Sequence, residues 1–187
     1  MFDFTKAIER LVGHVVANCP EFAHVRPDRM IFAYMQTRSP GMHGTYASVQ
    51  PLRFEGGALT TKRRGRTYEM PNVVVAGREI LYVVYFALPR FMNLDFETKM
   101  ITIFHELYHI CPSFDGDIRR FKGKRFAHGY SRKRFNEAVG ALAQKYLALP
   151  GAAEHTAFLR LSFKELEKEH GSVIGTKVRP PKPQPIP

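Results

Sequence analysis

Cysteine, acidic residues and long apolar runs are all scarce in this chain, and each scarcity closes off a class of reading. The two cysteines, Cys19 and Cys111, form no CxxC pair, so neither a disulfide framework nor a cysteine-built zinc ribbon is expected. A reduced, cytoplasmic setting follows as the expectation. The longest apolar stretch, Ile80 to Leu88, falls far short of the roughly 20 residues that cross a bilayer. The opening MFDFTKAIER mixes acids with bases, so no secretory leader is expected and no membrane partner. Only 17 acids face 28 lysines and arginines, a net charge of +11, and the resulting field favours polyanions or acidic protein surfaces as partners. No internal repeat occurs. With 187 residues, 44% of them hydrophobic, the chain suffices for one globular core and is short for two.

Periodicity divides that core between helices and strands. Phe4, Ala7, Ile8, Leu11, Val12, Val15, Val16 and Cys19 form a helical stripe, with Asp3 to cap it and Pro20 to end it. Arg29 to Gln36 reads as a strand closed by Ser39-Pro40-Gly41. Tyr46 to Leu52 and Tyr68 to Ala76 are weaker strands flanking an exposed basic loop, LTTKRRGR, and Ile80 to Leu88 is a stronger one. Helices are expected from Asp95 to Ile110 and from Ser131 to Leu149, with an irregular structured loop, Ser113 to Tyr130, between them. Ser162-Phe163-Lys164-Glu165 is a capping box for a short helix ending at Gly171. The segment 171–187, rich in proline, is expected to be an extended mobile tail outside the 1–170 domain.

The chemistry lies in the second of these helices. His105-Glu106-Leu107-Tyr108-His109 is HExxH, and on a helix the two histidines stack on one face where both reach one metal ion. Zinc catalysis uses this set: neutral imidazoles hold the ion, one position stays open for water, and a carboxylate takes the proton as that water attacks. One apolar row runs through Met100, Ile103, Leu107 and Ile110, another through Ile101, Phe104, Tyr108 and Cys111. Between them is a narrow polar line of Thr102, His105, Glu106 and His109, costly to bury unless those groups find partners. The plainer alternative is a solvated strip carrying two half-exposed histidines.

A catalytic site needs a third protein ligand, and Asp115, Asp117, His128 and Glu137 lie within reach along the chain. His128, in Phe126-Ala127-His128-Gly129-Tyr130, is favoured, the lesser alternative being that it merely caps the next helix. Glu137 is the alternative, set against it by the helical period that turns Phe135, Val139, Leu142 and Tyr146 inward. Asp115 and Asp117 could each fix the tautomer of a ligand histidine, or simply form an Asp-Gly turn. Tyr130 is preferred over Tyr108 for stabilising an oxyanion, because Tyr108 falls in a buried row. Arg119 and Arg120 could bind a substrate carboxylate or pair with Asp115 or Asp117.

HELYH followed by ICPSFDGDIRRF and FAHGY resembles the phage metallopeptidase family and, more distantly, SprT-type zincin proteases, over roughly Met30 to Leu149. The resemblance implies an α+β, zincin-like fold in which a twisted, mostly antiparallel or mixed sheet lies against the HExxH helix and further helices. It implies zinc held by His105, His109 and His128, Glu106 as general base, and a protein or peptide as substrate. The gap from His109 to His128 exceeds that of typical SprT proteins and no zinc ribbon follows, so DNA-dependent activity is not implied.

Basic clusters at Lys62 to Arg66, Arg119 to Arg125 and Arg132 to Arg134, interleaved with Phe121, Phe126 and Tyr130, suit nucleic-acid contact if they share a face. Three functions therefore compete: a metallopeptidase, a nucleic-acid-binding module with a structural metal, and a zinc hydrolase with another electrophile.

Overall fold

A computed structural model describes residues 1–37, 44–121 and 132–187. Numbered along the chain, its strands are β1 (Phe2–Asp3), β2 (Met30–Gln36), β3 (Ala47–Pro51), β4 (Thr60–Arg63), β5 (Arg66–Glu69), β6 (Val73–Val75), β7 (Arg78–Ile80), β8 (Tyr82–Leu88), β9 (Val173–Ile174) and β10 (Gln184–Ile186). The α-helices are α1 (Phe4–Asn18), α2 (Phe96–Tyr108), α3 (Arg132–Leu147), α4 (Ala152–Thr156) and α5 (Phe163–His170).

The sequence YVVYFAL of β8 is apolar throughout, β-branched or aromatic at most positions, and buried at every residue, as a strand covered on both faces must be. It forms the centre of a mixed sheet ordered β2-β8-β3, parallel to β2 and antiparallel to β3, with Phe32 and Val49 both opposite Val84. Alternation sends Tyr82, Val84, Phe86 and Leu88 to one face, where α1 and α2 bring Phe4, Ile8, Leu11, Met100, Ile103 and Leu107. Val83 and Tyr85 face the other side, with Ala33, Leu52, Met70 and Ile80. Phe104 fixes α2 in the first layer, packing edge-on against Phe22 at 5.3 Å and tilted against Tyr146 of α3 at 5.6 Å.

The capping signals act as the sequence suggests. Asp3 accepts from the Lys6 amide at 3.0 Å, Asp95 from the Thr98 amide at 2.8 Å, and Ser162 with Glu165 closes a full capping box on α5. Four readings change. The basic stretch expected as a loop is the β4–β5 hairpin, turned at Arg64-Gly65, both at positive φ, because an Arg-Gly pair can serve as a two-residue turn. The strand expected over Tyr68 to Ala76 is two strands, interrupted at Met70-Pro71-Asn72 where proline has no amide to pair. The run Ile80 to Leu88 divides at Leu81, leaving Ile80 at the end of β7. The proline-rich tail is extended but tied down. Its β9 pairs with β1, Thr176 accepts from the Tyr34 amide, Val178 packs on the second face of the sheet, and β10 pairs with β5. Proline suits this edge position, where an unpaired backbone nitrogen costs nothing. No helix among the described residues is long and apolar enough to cross a membrane.

Candidate metal centre

Helix α2 buries Met100, Ile103, Phe104 and Leu107, leaving the polar line of the motif at the boundary between core and cleft. Glu106 and His109 are only 8% and 7% exposed, so the strip is not an ordinary solvated face. The Nε2 atoms of His105 and His109 converge to 3.0 Å. At that distance the two rings are in hydrogen-bond contact, and two nitrogens each about 2.0–2.1 Å from one tetrahedral ion sit roughly 3.3 Å apart, so a small outward shift would let both bind a single metal. Helix α3 braces it. Phe135 meets the His105 ring edge-on at 4.8 Å and stacks on His109 at 5.2 Å, while Asn136 Oδ1 lies 3.2 Å from His105 Nδ1. An acceptor at Nδ1 keeps the ring proton there and leaves the Nε2 lone pair for a metal.

Glu106 is held from the sheet side. Its Oε2 accepts the Val49 amide of edge strand β3 at 2.8 Å. Burial pushes its carboxyl up to about 7, with the Val49 hydrogen bond working in the other direction. The group is therefore poised to take and release a proton near neutrality. It opens, with His105 and Asn136, onto a cleft of about 510 Å³ between residues 44–47 and α2.

After His109 the chain doubles back, and the Arg119 amide donates to the His109 carbonyl at 2.6 Å. Tyr82 of β8 pins this loop, donating to the Asp117 carbonyl and accepting from the Gly116 amide. Gly116 is required there: its φ is +89°, and an added Cβ would stand 2.5 Å from Arg53. Asp117 accepts from the Gly56 and Ile118 amides and takes the Arg120 guanidinium in a two-point pair at 2.8 and 3.0 Å. Asp115 accepts from the Ser113 hydroxyl at 2.6 Å and the Asp117 amide at 3.0 Å. Burial acts to raise its pKa, but these bonds outweigh it and hold the carboxyl below the usual range. The hydrogen bonds described for both aspartates tie the loop together, as the Asp-Gly turn reading has it. Arg120 adopts the pairing reading, while Arg119 donates to the Tyr108 carbonyl and lies 4.2 Å over the Tyr108 ring.

His128 and Tyr130 lie outside the described residues. Glu137 has a side chain 61% exposed and pairs with Lys133 at 3.9 Å, on the solvent side of α3. Among the described residues no group of three histidine, cysteine or acidic side chains could hold a metal. Asn136 and the Val49 amide were not anticipated: nothing in a sequence period marks an asparagine beside an inward phenylalanine, and a backbone donor carries no residue signature. Lys99, 2% exposed, likewise carries no signal in the sequence. Its ammonium donates to the Leu159 and Leu161 carbonyls, fastening α2 to the chain before α5.

Comparison with known protein families decides the affiliation, since the model of the family described as "Putative phage metallopeptidase" matches residues 3–146. The chain belongs to that family. The match runs from the cap of α1 to Tyr146 of α3, so this phage metallopeptidase family takes in the sheet, the HExxH helix and the bracing helix together. No curated protein and no solved structure matches the chain.

Proposed function

We propose that this chain is a zinc-dependent metallopeptidase with a zincin-like arrangement, in which His105, His109 and His128 hold the ion and Glu106 is the general base. The observation that carries the reading is the 3.0 Å approach of two imidazole nitrogens beside a buried carboxylate whose pKa burial lifts to about 7. The donor set suits zinc, since two neutral imidazoles presented by one helical face are among its commonest ligands. His128 is supported by where its segment is anchored. Phe121, the last described residue before that segment, lies 5.9 Å from Phe135, whose ring meets both histidines. The solvent-side pairing of Glu137 with Lys133 argues against the alternative third ligand.

Zinc bound here supplies Lewis acidity toward water and toward the scissile carbonyl. Glu106 Oε2, fixed by the Val49 amide, accepts the proton from the attacking water and returns it to the leaving nitrogen. Asn136 holds the His105 ring, and Tyr130 is the phenol assigned to the developing oxyanion. Substrate backbone is offered β3. The Tyr46 carbonyl and Leu52 amide turn toward β8 while the Val49 amide turns out, so by alternation the Ala47 backbone also faces outward for an added strand.

The test is digestion of unfolded casein. The reading expects cleavage that a chelator stops, zinc restores, and Glu106→Gln abolishes in a protein that still folds. Cleavage indifferent to chelator, or undiminished in Glu106→Gln, overturns it.

A further inference from the structure

We infer that the β4–β5 hairpin is a nucleic-acid-binding ribbon that grips the phosphate backbone of duplex DNA with Lys62, Arg63, Arg64 and Arg66. All four side chains are exposed, and none has an ion-pair partner among the described residues. Arg63 and Arg66 stand directly opposite one another across the ladder. Like charges facing across strands repel, so this arrangement raises the energy of the free hairpin and favours a ligand that supplies negative charge. Several other bases are paired within the fold: Arg29 and Arg53 share Glu79, Arg120 meets Asp117, and Lys145 meets Glu21.

The shape fits the same partner. β10 pairs with β5 only from Thr67 to Glu69, so Arg63 to Arg66 extends past the third strand as a two-stranded tip. Arg64 and Gly65, at φ +49° and +77°, close it in a tight turn, and a Cβ added at Gly65 would meet nothing within 4 Å. A two-stranded ribbon is one of the two elements that the major groove admits, and cations along it meet phosphates on either wall. Residues 62–66 contain no apolar side chain to anchor in lipid, which favours nucleic acid over a membrane surface. The segment leading into the ribbon is tied to the body of the fold. Arg53 donates its amide to Gly116, the Gly56 amide to Asp117, and Glu55 meets Arg120, so the hairpin is mounted on the loop that follows the histidine pair.

The experiment is fluorescence anisotropy with a labelled mixed-sequence DNA duplex, using the full chain carrying Glu106→Gln so that the result is independent of peptidase activity. The variant Arg63→Gln, Arg64→Asn, Arg66→Gln keeps a residue that tolerates positive φ at the turn. Its control removes three exposed cations elsewhere, Arg10→Gln, Lys164→Gln and Lys168→Gln. The hairpin variant is expected to lose roughly tenfold or more in affinity near ~0.1 M salt and to flatten the log–log salt dependence by about 2–3, with the control within about twofold of the parent. Should the triple variant fail to fold, Arg64→Asn alone is expected to lose affinity and flatten the slope by about 1. Unchanged binding in the hairpin variant, equal loss in both triple variants, or tighter binding to phosphatidylserine-containing vesicles than to the duplex overturns the inference.

Discussion

Glu106 carries opposing demands at the scale of a single residue, since the burial that poises its proton also makes its charge expensive to keep. Its folded pKa is raised from 4.5 to about 7, so between those values the unfolded chain has released a proton that the folded metal-free chain retains, and stability falls as pH rises. Glu106→Gln is therefore expected to raise the melting temperature of the metal-free protein at pH 8 while abolishing peptidase activity; a lower melting temperature would contradict the burial argument. Asn136 is expected to act through His105. Asn136→Ala should weaken zinc affinity by about 10–100-fold without displacing the fold, read by competition with a chelating dye, and Asn136→Asp should restore it. Of these residues, His105, Glu106 and His109 were legible because HExxH is a spacing that helix geometry converts directly into convergence. Asn136 was not, because its role depends on how α3 lies against α2, and no local pattern encodes that crossing.

At the scale of elements, α2 and β3 form the two sides of the site, and the amide of Val49 joins them. Position 49 turns its N–H toward Glu106 and position 48, by alternation, toward β8. Val49→Pro is accordingly expected to lower kcat strongly with modest loss of stability, whereas Ser48→Pro should destabilise the sheet itself; circular dichroism melts beside casein assays separate the two. Lys99 gives α2 a pH signature. Burial lowers its ammonium from 10.5 to about 8, so from about pH 8 to 10.5 the unfolded chain binds the extra proton and stability rises with pH. The difference in unfolding free energy between wild type and Lys99→Met is expected to move in favour of wild type by on the order of 2–3 kcal/mol across that window. No movement would mean that Lys99 is charged in the fold at little cost. Caps and amphipathic stripes made the helices readable, since Asp3, Asp95 and Ser162 each sit one residue before an apolar period. The β4–β5 hairpin was hidden because exposed bases on a short ribbon leave no apolar alternation to detect.

Across the whole molecule, the tail closes what the family core leaves open. The family match ends at Tyr146, yet residues 173–186 cross the far side of the sheet, linking β1, β2, the Gln50 side chain and β5. Deleting residues 172–187 is expected to lower the melting temperature by several degrees, roughly 2–4 °C for each kcal/mol lost, with Val178 uncovering the second cluster. The tail's composition announced its extended form, but partners so distant in sequence could not be read from it. The charge was equally legible in total and illegible in distribution, because which bases are neutralised depends on which acids the fold brings to them. Whether His105 and His109 are ligands of one ion decides the chemistry of the site, and elemental analysis of the purified chain tests this most directly. About one zinc per chain is expected in wild type and in Glu137→Ala, with loss in His105→Ala, His109→Ala and His128→Ala. Wild type that takes up no metal even when zinc is supplied, or a His105→Ala, His109→Ala double variant that keeps its full complement, would contradict it.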